Sequence, residues 1–209
     1  MDSRARRKSI FVKITSVPLL SAAGMVLLSM SAATHSASGD DELWSELKGG
    51  GKVVLMRHAP VERGADRGTP LLRDPSCKGE RNLSSQGKLD AAEVGRRFRE
   101  HGVPVEEVLH SPFCRTTETA ERAFGAATAA EYLSLLEILG AEEAAKQTEQ
   151  LNRAIGSYSE KGNLILITHE PNINSVSFET VRHLDFVVLD PAGEAEFEEL
   201  GVIRFTGSE

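Results

Sequence analysis

The chain has 209 residues, of which 40% are hydrophobic and 26% are charged, as expected for one soluble globular domain. Its formal net charge of −7 at pH 7 argues against nucleic-acid binding through a broadly basic surface. An anionic ligand would therefore have to be attracted by a local basic pocket rather than by the field of the whole protein.

The first 33 residues have the pattern of a secretory signal peptide. A basic start is followed by an apolar stretch centred on residues 19–28, and Ser31-Ala32-Ala33 supplies the small residues that a signal peptidase reads. We expect cleavage near Ala33 or Ala37, so that residues 1–37 are a signal peptide and a disordered start. The basic residues are Arg4, Arg6, Arg7 and Lys8.

An uncleaved membrane anchor is the alternative interpretation of this segment. Lys13 and Pro18 interrupt the apolar run and leave it shorter than the roughly 20 residues that a spanning helix needs. We therefore expect no stable membrane span after cleavage. The mature domain would cover 41–209 and would be periplasmic or secreted.

The mature part begins with a short helical pattern, followed by a buried strand. Asp41 is placed to cap a helix that ends near Lys48. Val53-Val54-Leu55-Met56 is a continuous apolar run, typical of a strand that is buried on both faces. The run changes abruptly to Arg57 and His58, and such a strand end is where open α/β sheets bind their ligands.

A long loop with little periodicity covers residues 59–83, and a loop of this length inside a compact domain is usually functional. It contains Cys77, while the second cysteine of the chain, Cys114, directly precedes Arg115. Disulfides persist in exported proteins, so we expect a Cys77–Cys114 bridge, with two free thiols as the alternative. Metal binding is disfavoured, because no CxxC or HxxxH spacing occurs. The arginines of the loop are Arg63, Arg67, Arg73 and Arg81.

The remaining elements alternate between helices and strands, with a hairpin at the end, and residues 132–139 fit either a strand or a helix. Such a pattern predicts an α/β fold, a three-layer α/β/α sandwich with a mostly parallel central sheet. Helices are predicted over 84–101, 115–124, 142–158 and 172–181, and strands over 105–110, 163–168, 186–189 and 197–205. The predicted inner face of the first of these helices is Leu89, Ala92, Gly95 and Phe98.

Three predicted strands end at residues that suit anion chemistry. The first delivers Arg57 and His58, the second is followed by Arg115, and the third is followed by His169. Because the carboxyl ends of parallel strands meet at one edge of the sheet, we expect these four side chains to form one site. Outside this set, His183 is interpreted as structural or exposed.

Motifs at these positions resemble the signature of the histidine phosphatase superfamily, which has the phosphoglycerate-mutase-like fold. The Arg-His-Gly of the family reads Arg57-His58-Ala59 here, and its Thr-His-Gly reads Thr168-His169-Glu170. Its Ser-Pro-x-x-Arg-x-x-x-Thr-Ala matches residues 111–120 at every specified position. The resemblance runs from about residue 50 to the end of the chain. Ala59 and Glu170 stand where the family usually has glycine, and an acidic side chain beside a phosphate pocket would weaken anion binding.

The resemblance implies phosphoryl transfer without a metal or another cofactor. His58 would be the nucleophile, Arg57 and Arg115 would hold the phosphate oxygens, and His169 would donate a further hydrogen bond. The two arginines also lower the pKa of His58 by charge repulsion and so favour the neutral imidazole. Related enzymes of the mutase type place an acid between the second motif and the last histidine, and we name Glu137 for this role. The alternatives are Glu142, Glu80, Asp66 and Asp74.

We therefore expect an exported phosphatase that hydrolyses a phosphomonoester through a phosphohistidine on His58. Its expected location favours a small phosphorylated substrate such as an envelope sugar phosphate. A mutase is disfavoured, because Pro60, Val61 and Gly64 occupy the region of the Glu-Ser continuation and its downstream asparagine. The alternative is a non-enzymatic protein that binds an anionic ligand in the same fold, although a binder has no need of a nucleophile.

Overall fold

The computed structural model describes residues 39–207. The expected signal peptide and both expected cleavage positions, Ala33 and Ala37, lie outside the described residues. Among the helices within 39–207, none is long and apolar enough to cross a membrane.

Residues 39–207 form five α-helices, six strands and two single turns of 3₁₀-helix. The helices are α1 (Gly39–Gly49), α2 (Ser85–Glu100), α3 (Cys114–Phe124), α4 (Ala141–Gly156) and α5 (Glu170–Asn174). The strands are β1 (Val53–Arg57), β2 (Val105–His110), β3 (Thr128–Ala129), β4 (Asn163–Thr168), β5 (Phe186–Gly193) and β6 (Glu196–Ile203). The 3₁₀ turns are Glu131–Leu133 and Leu136–Ile138.

All six strands belong to one sheet, in the order β3-β2-β4-β1-β5-β6. The first four are parallel to one another, and β5 runs antiparallel to both of its neighbours, β1 and β6. β1 and β4 pair from Val53 opposite Leu164 to Arg57 opposite Thr168, so these two strands end level with each other. The predicted mostly parallel sheet is confirmed.

The two faces of the sheet are covered by different helices. Val54 and Met56 of β1 pack into a core shared with α1, α2 and α3, whereas Val53 and Leu55 pack against α4 and α5 on the opposite face. This double burial explains the continuous apolar run of β1, because each fully buried aliphatic side chain contributes about 1.5–3 kcal/mol. The three-layer sandwich is therefore confirmed.

Helix α2 begins where predicted but faces the core differently. The Ser84 hydroxyl accepts a hydrogen bond from the Gly87 N–H at 2.9 Å and caps the helix. Leu89, which was predicted on the inner face, is 65% exposed. The predicted face advanced three residues at a time, and each such step drifts about 60° around a helix of 3.6 residues per turn. The buried stripe is Ala91, Val94, Gly95 and Phe98, while Ala92 is exposed.

Two other expectations are corrected by the structure. The helix predicted over 172–181 is the short α5, because the Ser177 hydroxyl accepts a bond from the Glu179 N–H at 3.0 Å and so favours a local turn over a further helical turn. Helix α1 already begins at Gly39, so Asp41 lies in its first turn instead of capping it.

Candidate active site

The ends of β1, β2 and β4 bring the four predicted site residues together. Arg57 and His58 end β1, Arg115 lies in the first turn of α3 directly after β2, and His169 follows β4. The rings of His58 and His169 are 5.5 Å apart, and one Arg115 nitrogen lies 3.1 Å from His169 Nδ1. All four side chains line one cavity of about 780 Å³.

His58 presents an unprotonated nitrogen to this cavity. Its Nδ1 lies 2.8 Å from the Ala59 carbonyl oxygen. Because a carbonyl can only accept, Nδ1 carries the ring proton and Nε2 keeps its lone pair. Burial lowers the pKa of His58 well below its usual value, and the nearby His169 and Arg115 lower it further. The imidazole is therefore neutral at pH 7, which is the form that can attack phosphorus.

The backbone next to His58 is tied to helix α3. The Ala59 N–H donates to Thr119 Oγ1 at 3.0 Å, and this hydroxyl donates in turn to the Arg115 carbonyl at 2.6 Å. Among the non-glycine residues of the described chain, a positive φ occurs at Cys77, Leu184 and Glu194, and so not at Ala59. The site can therefore carry alanine where the resembling family usually has glycine.

Arg115 is a buried cation that forms no ion pair with any described residue. Its side chain is 4% exposed, and its guanidinium lies over the Phe113 ring at 4.4 Å. One terminal nitrogen donates to His169 Nδ1, whereas Nη1 is buried and has no partner in residues 39–207. Burial lowers the pKa of Arg115 to about 10, although Glu80 and Glu137 attract it from a distance. It remains a cation at pH 7 and can still form hydrogen bonds to an anion.

His169 uses both of its ring nitrogens in the protein. Its Nδ1 accepts from Arg115, so Nε2 carries the proton and donates to the Ser111 hydroxyl at 2.7 Å. Burial, followed by Arg115 and Arg57, lowers the pKa of His169 well below its usual value. A hydrogen bond from His169 to a phosphoryl oxygen would require one of these two bonds to open, so that role stays a prediction.

Arg57 already has an anionic partner. Its Nη1 lies 2.6 Å from a Glu170 carboxylate oxygen and donates to the Val181 carbonyl at 2.9 Å, while its buried Nε has no partner in residues 39–207. Burial lowers the pKa of Arg57, against the attraction of Glu170. An incoming phosphoryl group therefore competes with Glu170 for this guanidinium.

Two carboxylates, Glu137 and Glu170, line the cavity. Glu137 lies in the second 3₁₀ turn, is exposed, and forms no hydrogen bond or ion pair with the described residues, and its role as the acid stays a prediction. The other candidates serve elsewhere. Glu80 is buried and accepts from the Cys114 N–H at 2.8 Å, Glu142 pairs with Lys146 on exposed α4, Asp74 caps a turn in the loop, and Asp66 is exposed.

His183 and Arg81 also line the cavity. His183 was expected to be structural or exposed, yet its Nδ1 lies 3.0 Å from the His58 carbonyl oxygen. Nothing in the local sequence indicates this position, since a lone histidine follows Val181-Arg182 without a motif. Arg81 belongs to the long loop and donates to the Gly64 and Gly68 carbonyls, so it also holds the loop's own turn together.

The predicted Cys77–Cys114 disulfide is present and joins the long loop to the first residue of α3. Its Cys114 directly precedes Arg115, which lines the cavity. Among residues 39–207, no group of three or more histidine, cysteine or acidic side chains is arranged to hold a metal ion.

Comparison with known sequences and structures shows which family the protein resembles in sequence and fold. The protein matches no curated protein sequence. Similar solved structures include TTHB049 from Thermus thermophilus, with 16% identity over 74% of this chain and 99% of that chain at a TM-score of 0.50. The phosphoserine phosphatase of Entamoeba histolytica, in complex with 3-phosphoglyceric acid, is 13% identical over 70% of this chain and 94% of that chain, also at 0.50. A structure of the protein histidine phosphatase SixA with tungstate has 17% identity, coverage of 72% and 96%, and a TM-score of 0.47.

At these identities, the first two likenesses show the fold alone. The model of the histidine phosphatase superfamily, branch 1, matches residues 53–157, which are half of the chain. This match begins with β1 and includes both arginines and the predicted nucleophile. The chain belongs to the histidine phosphatase superfamily, branch 1.

Proposed function

We propose that the protein is a phosphatase that hydrolyses a small phosphomonoester through a phosphohistidine on His58. The observation that carries this proposal is the pairing of a neutral His58, whose Nε2 is unprotonated, with the buried and unpaired cation of Arg115. A buried guanidinium without a carboxylate partner is costly, and a bound phosphoryl group would supply the missing hydrogen bonds.

The reaction would have two steps. In the first, the Nε2 lone pair of His58 attacks phosphorus, the ester P–O bond breaks, and the leaving oxygen takes a proton from Glu137. In the second, water attacks the phosphohistidine, its proton passes to the Glu137 carboxylate, and inorganic phosphate leaves as the P–N bond breaks. Arg57 and Arg115 would stabilise the charge on the equatorial oxygens in both steps.

The cavity supports a substrate that is larger than phosphate itself. Its volume of about 780 Å³ is that of a site for a small organic molecule. Besides its charged and histidine side chains, the wall contains apolar and neutral polar groups that would suit a sugar or a similar moiety. This wall includes Val61, Pro70, Leu135, Pro171, Asn174 and Ser175.

Export is part of the same proposal. It is supported by the signal-peptide pattern of residues 1–33 and by the Cys77–Cys114 disulfide, since structural disulfides persist mainly in oxidising compartments. A periplasmic or secreted phosphatase would meet phosphorylated molecules of the cell envelope, and so we propose an envelope sugar phosphate as the substrate class.

A non-enzymatic anion-binding protein is the competing interpretation, and the Glu170–Arg57 ion pair does not favour it. That pair opposes anion binding, whereas the unprotonated Nε2 of His58 is in the form that a nucleophile needs. The catalytic proposal therefore accounts for the unprotonated His58 nitrogen in the cavity, which simple anion binding does not require.

One preparation tests the proposal. The exported form should have an N-terminus between about residues 32 and 40 by mass spectrometry, and should hydrolyse an aryl phosphate, whose good leaving group needs little acid assistance.

Because the lowered pKa of His58 keeps its imidazole neutral in mild acid, activity should persist below pH 6.5. EDTA should leave the rate unchanged.

Three outcomes would contradict these expectations. Absence of turnover at substrate concentrations that saturate binding would support the non-enzymatic binder. A loss of activity in EDTA that a divalent metal restores would require a metal-assisted mechanism. An intact N-terminus on a membrane-bound protein would establish the uncleaved anchor.

The two cavity carboxylates should respond to substitution in opposite ways. Glu137→Gln removes the proposed acid, so kcat should fall about 10²-fold for an alkyl phosphate but much less for an aryl phosphate. Glu170→Gln removes the competitor for Arg57, so the Kd of inorganic phosphate should fall about tenfold. Steady-state kinetics on both esters and calorimetry with phosphate measure these effects.

Each variant serves as the control of the other, and Glu142→Gln, at an exposed position of α4, is the control outside the cavity. An equal loss on both esters would remove Glu137 from the role of acid. Unchanged or weaker phosphate binding by Glu170→Gln would show that Glu170 does not compete with the ligand.

A further inference from the structure

His183 lies between α5 and β5 and takes no part in the reaction proposed above. The residue after it, Leu184, has a φ of 64°, an uncommon value for a residue that is not glycine. The Leu184 N–H donates to the Arg57 carbonyl at 3.1 Å, and the Arg57 N–H donates to the Asp185 carbonyl at 3.2 Å. These two bonds fasten the turn to the end of β1 and hold His183 beside His58.

The hydrogen bonding of His183 leaves one ring nitrogen available. Its Nδ1 lies 3.0 Å from the His58 carbonyl oxygen, so Nδ1 is the donor and carries a proton. Its Nε2 has no hydrogen-bond partner among residues 39–207 and is not among their buried atoms. Since the ring lines the cavity, 5.1 Å from the His58 ring between centroids, Nε2 is open to a ligand there.

We propose that His183 is a further phosphate-binding residue, whose Nε2, when protonated, donates a hydrogen bond to an equatorial oxygen of the bound phosphoryl group. This proposal rests on the proposed function, since it concerns the same site. The leaving oxygen and the attacking water occupy the side of phosphorus that faces away from His58, because displacement is in line. His183 is braced on the nucleophile's own backbone, so it lies beside the equatorial oxygens and not beside the leaving group.

The charges around His183 make this donor depend on pH. Burial and then Arg57 lower the pKa of its imidazole, so the free protein holds it neutral at pH 7. A phosphate dianion beside the ring favours the protonated form. By linkage, the protonated ring then binds phosphate more tightly, and this contribution grows as pH falls. The charged and titratable groups facing the ring are Arg57, His58, Arg115 and Glu170.

Calorimetry with inorganic phosphate on the intact protein tests the proposal. The ratio of the Kd of His183→Ala to that of the wild type should be about tenfold or more at pH 5.5, where the ring donates a charge-assisted bond, and near one at pH 8. The ionisation of phosphate itself cancels in this ratio. In His183→Gln, the amide donates at every pH, so the ratio of alanine to glutamine variants should not change with pH.

His101→Gln is the matched control, because His101 stacks on Trp44 and does not line the cavity. If His183 only held the His58 backbone in place, the ratio of the His183→Ala Kd to the wild-type Kd would be the same at both pH values, and that result would overturn the proposal. So would a ratio of one throughout. Thermal melting of each variant checks the fold, and the glutamine variant carries the test if alanine unfolds the site.

Binding and turnover separate this proposal from the proposed function. If the ratio of the His183→Ala Kd to the wild-type Kd varies with pH but the wild type hydrolyses no aryl phosphate, His183 is supported as a ligand-binding residue and the phosphatase proposal is contradicted. If the wild type hydrolyses an aryl phosphate but the ratio of the His183→Ala Kd to the wild-type Kd does not vary with pH, the phosphatase proposal is supported and the role of His183 is overturned.

Discussion

His58→Ala should abolish hydrolysis, lowering kcat by about 10⁴-fold or more, while the protein stays folded. His183 also has an open Nε2 in the cavity, but our proposal places it beside the equatorial oxygens and not in line with the leaving group, so it does not replace the nucleophile. The His58 side chain donates its hydrogen bond to the carbonyl of the next residue, so its removal deprives no distant element of a bond. The melting temperature should therefore change by only a few degrees. Steady-state kinetics and thermal unfolding measure the two effects.

The covalent intermediate gives the sharper readout. A rapidly quenched reaction of the wild type should contain phosphate bound to protein through a bond that is labile in acid and stable in alkali, and His58→Ala should contain none. His101→Gln, outside the cavity, should retain the intermediate. Substantial turnover by His58→Ala, or an alkali-labile phosphoenzyme, would move the nucleophile to another residue.

The parts of the fold that could be predicted are those fixed by short-range patterns. β1 and β4 are runs of apolar residues with a glycine just before each run and Arg57 or His169 at its end, so their limits follow from the sequence alone. The motif after β2 likewise predicts Arg115, because only three residues separate the end of β2 from α3. These local patterns account for all four predicted site residues.

The parts that could not be predicted depend on contacts between distant segments. β3 has only two residues and exists because it pairs with the end of β2. Helix α2 approaches α3 closely at Gly95, where a Cβ would lie 1.8 Å from the Ala123 carbonyl oxygen. His183 reaches the cavity because Leu184 adopts a positive φ that its backbone bonds to Arg57 sustain. None of these contacts leaves a pattern in the neighbouring residues.

Glu170 illustrates a partial success. Its position directly after His169 indicates that a carboxylate lies at the pocket, and the cavity lining agrees. Its choice of Arg57 as a partner instead of Arg115 follows from the level ends of β1 and β4, which is a property of the sheet register. The sequence therefore predicts an acid at the site but not which cation it neutralises.

Reduction of the Cys77–Cys114 disulfide should lower the free energy of unfolding by about 3–4 kcal/mol, because the bridge closes a loop of some 36 residues in the unfolded chain. For a domain of this size, the melting temperature should fall by roughly 10 °C. Calorimetric unfolding with and without reductant measures it.

Reduction should also raise KM several-fold while kcat changes little. The long loop of residues 59–83, which the bridge ties to α3, supplies Val61, Pro70 and Arg81 to the cavity wall, whereas His58 precedes this loop. The loop should not detach, because buried Glu80 still accepts from the Cys114 N–H and from the Asp74 N–H. The loss therefore falls on substrate binding more than on chemistry.

The double variant Cys77→Ser, Cys114→Ser is the control for the reductant. It should resemble the reduced wild type in KM and in melting temperature, and dithiothreitol should not change it further. Thiol titration of the unfolded, unreduced protein decides whether the bridge forms at all, since two reactive thiols per chain would rule it out. A reduced wild type with an unchanged melting temperature would show that Glu80 and the turn held by Arg81 suffice to order the loop.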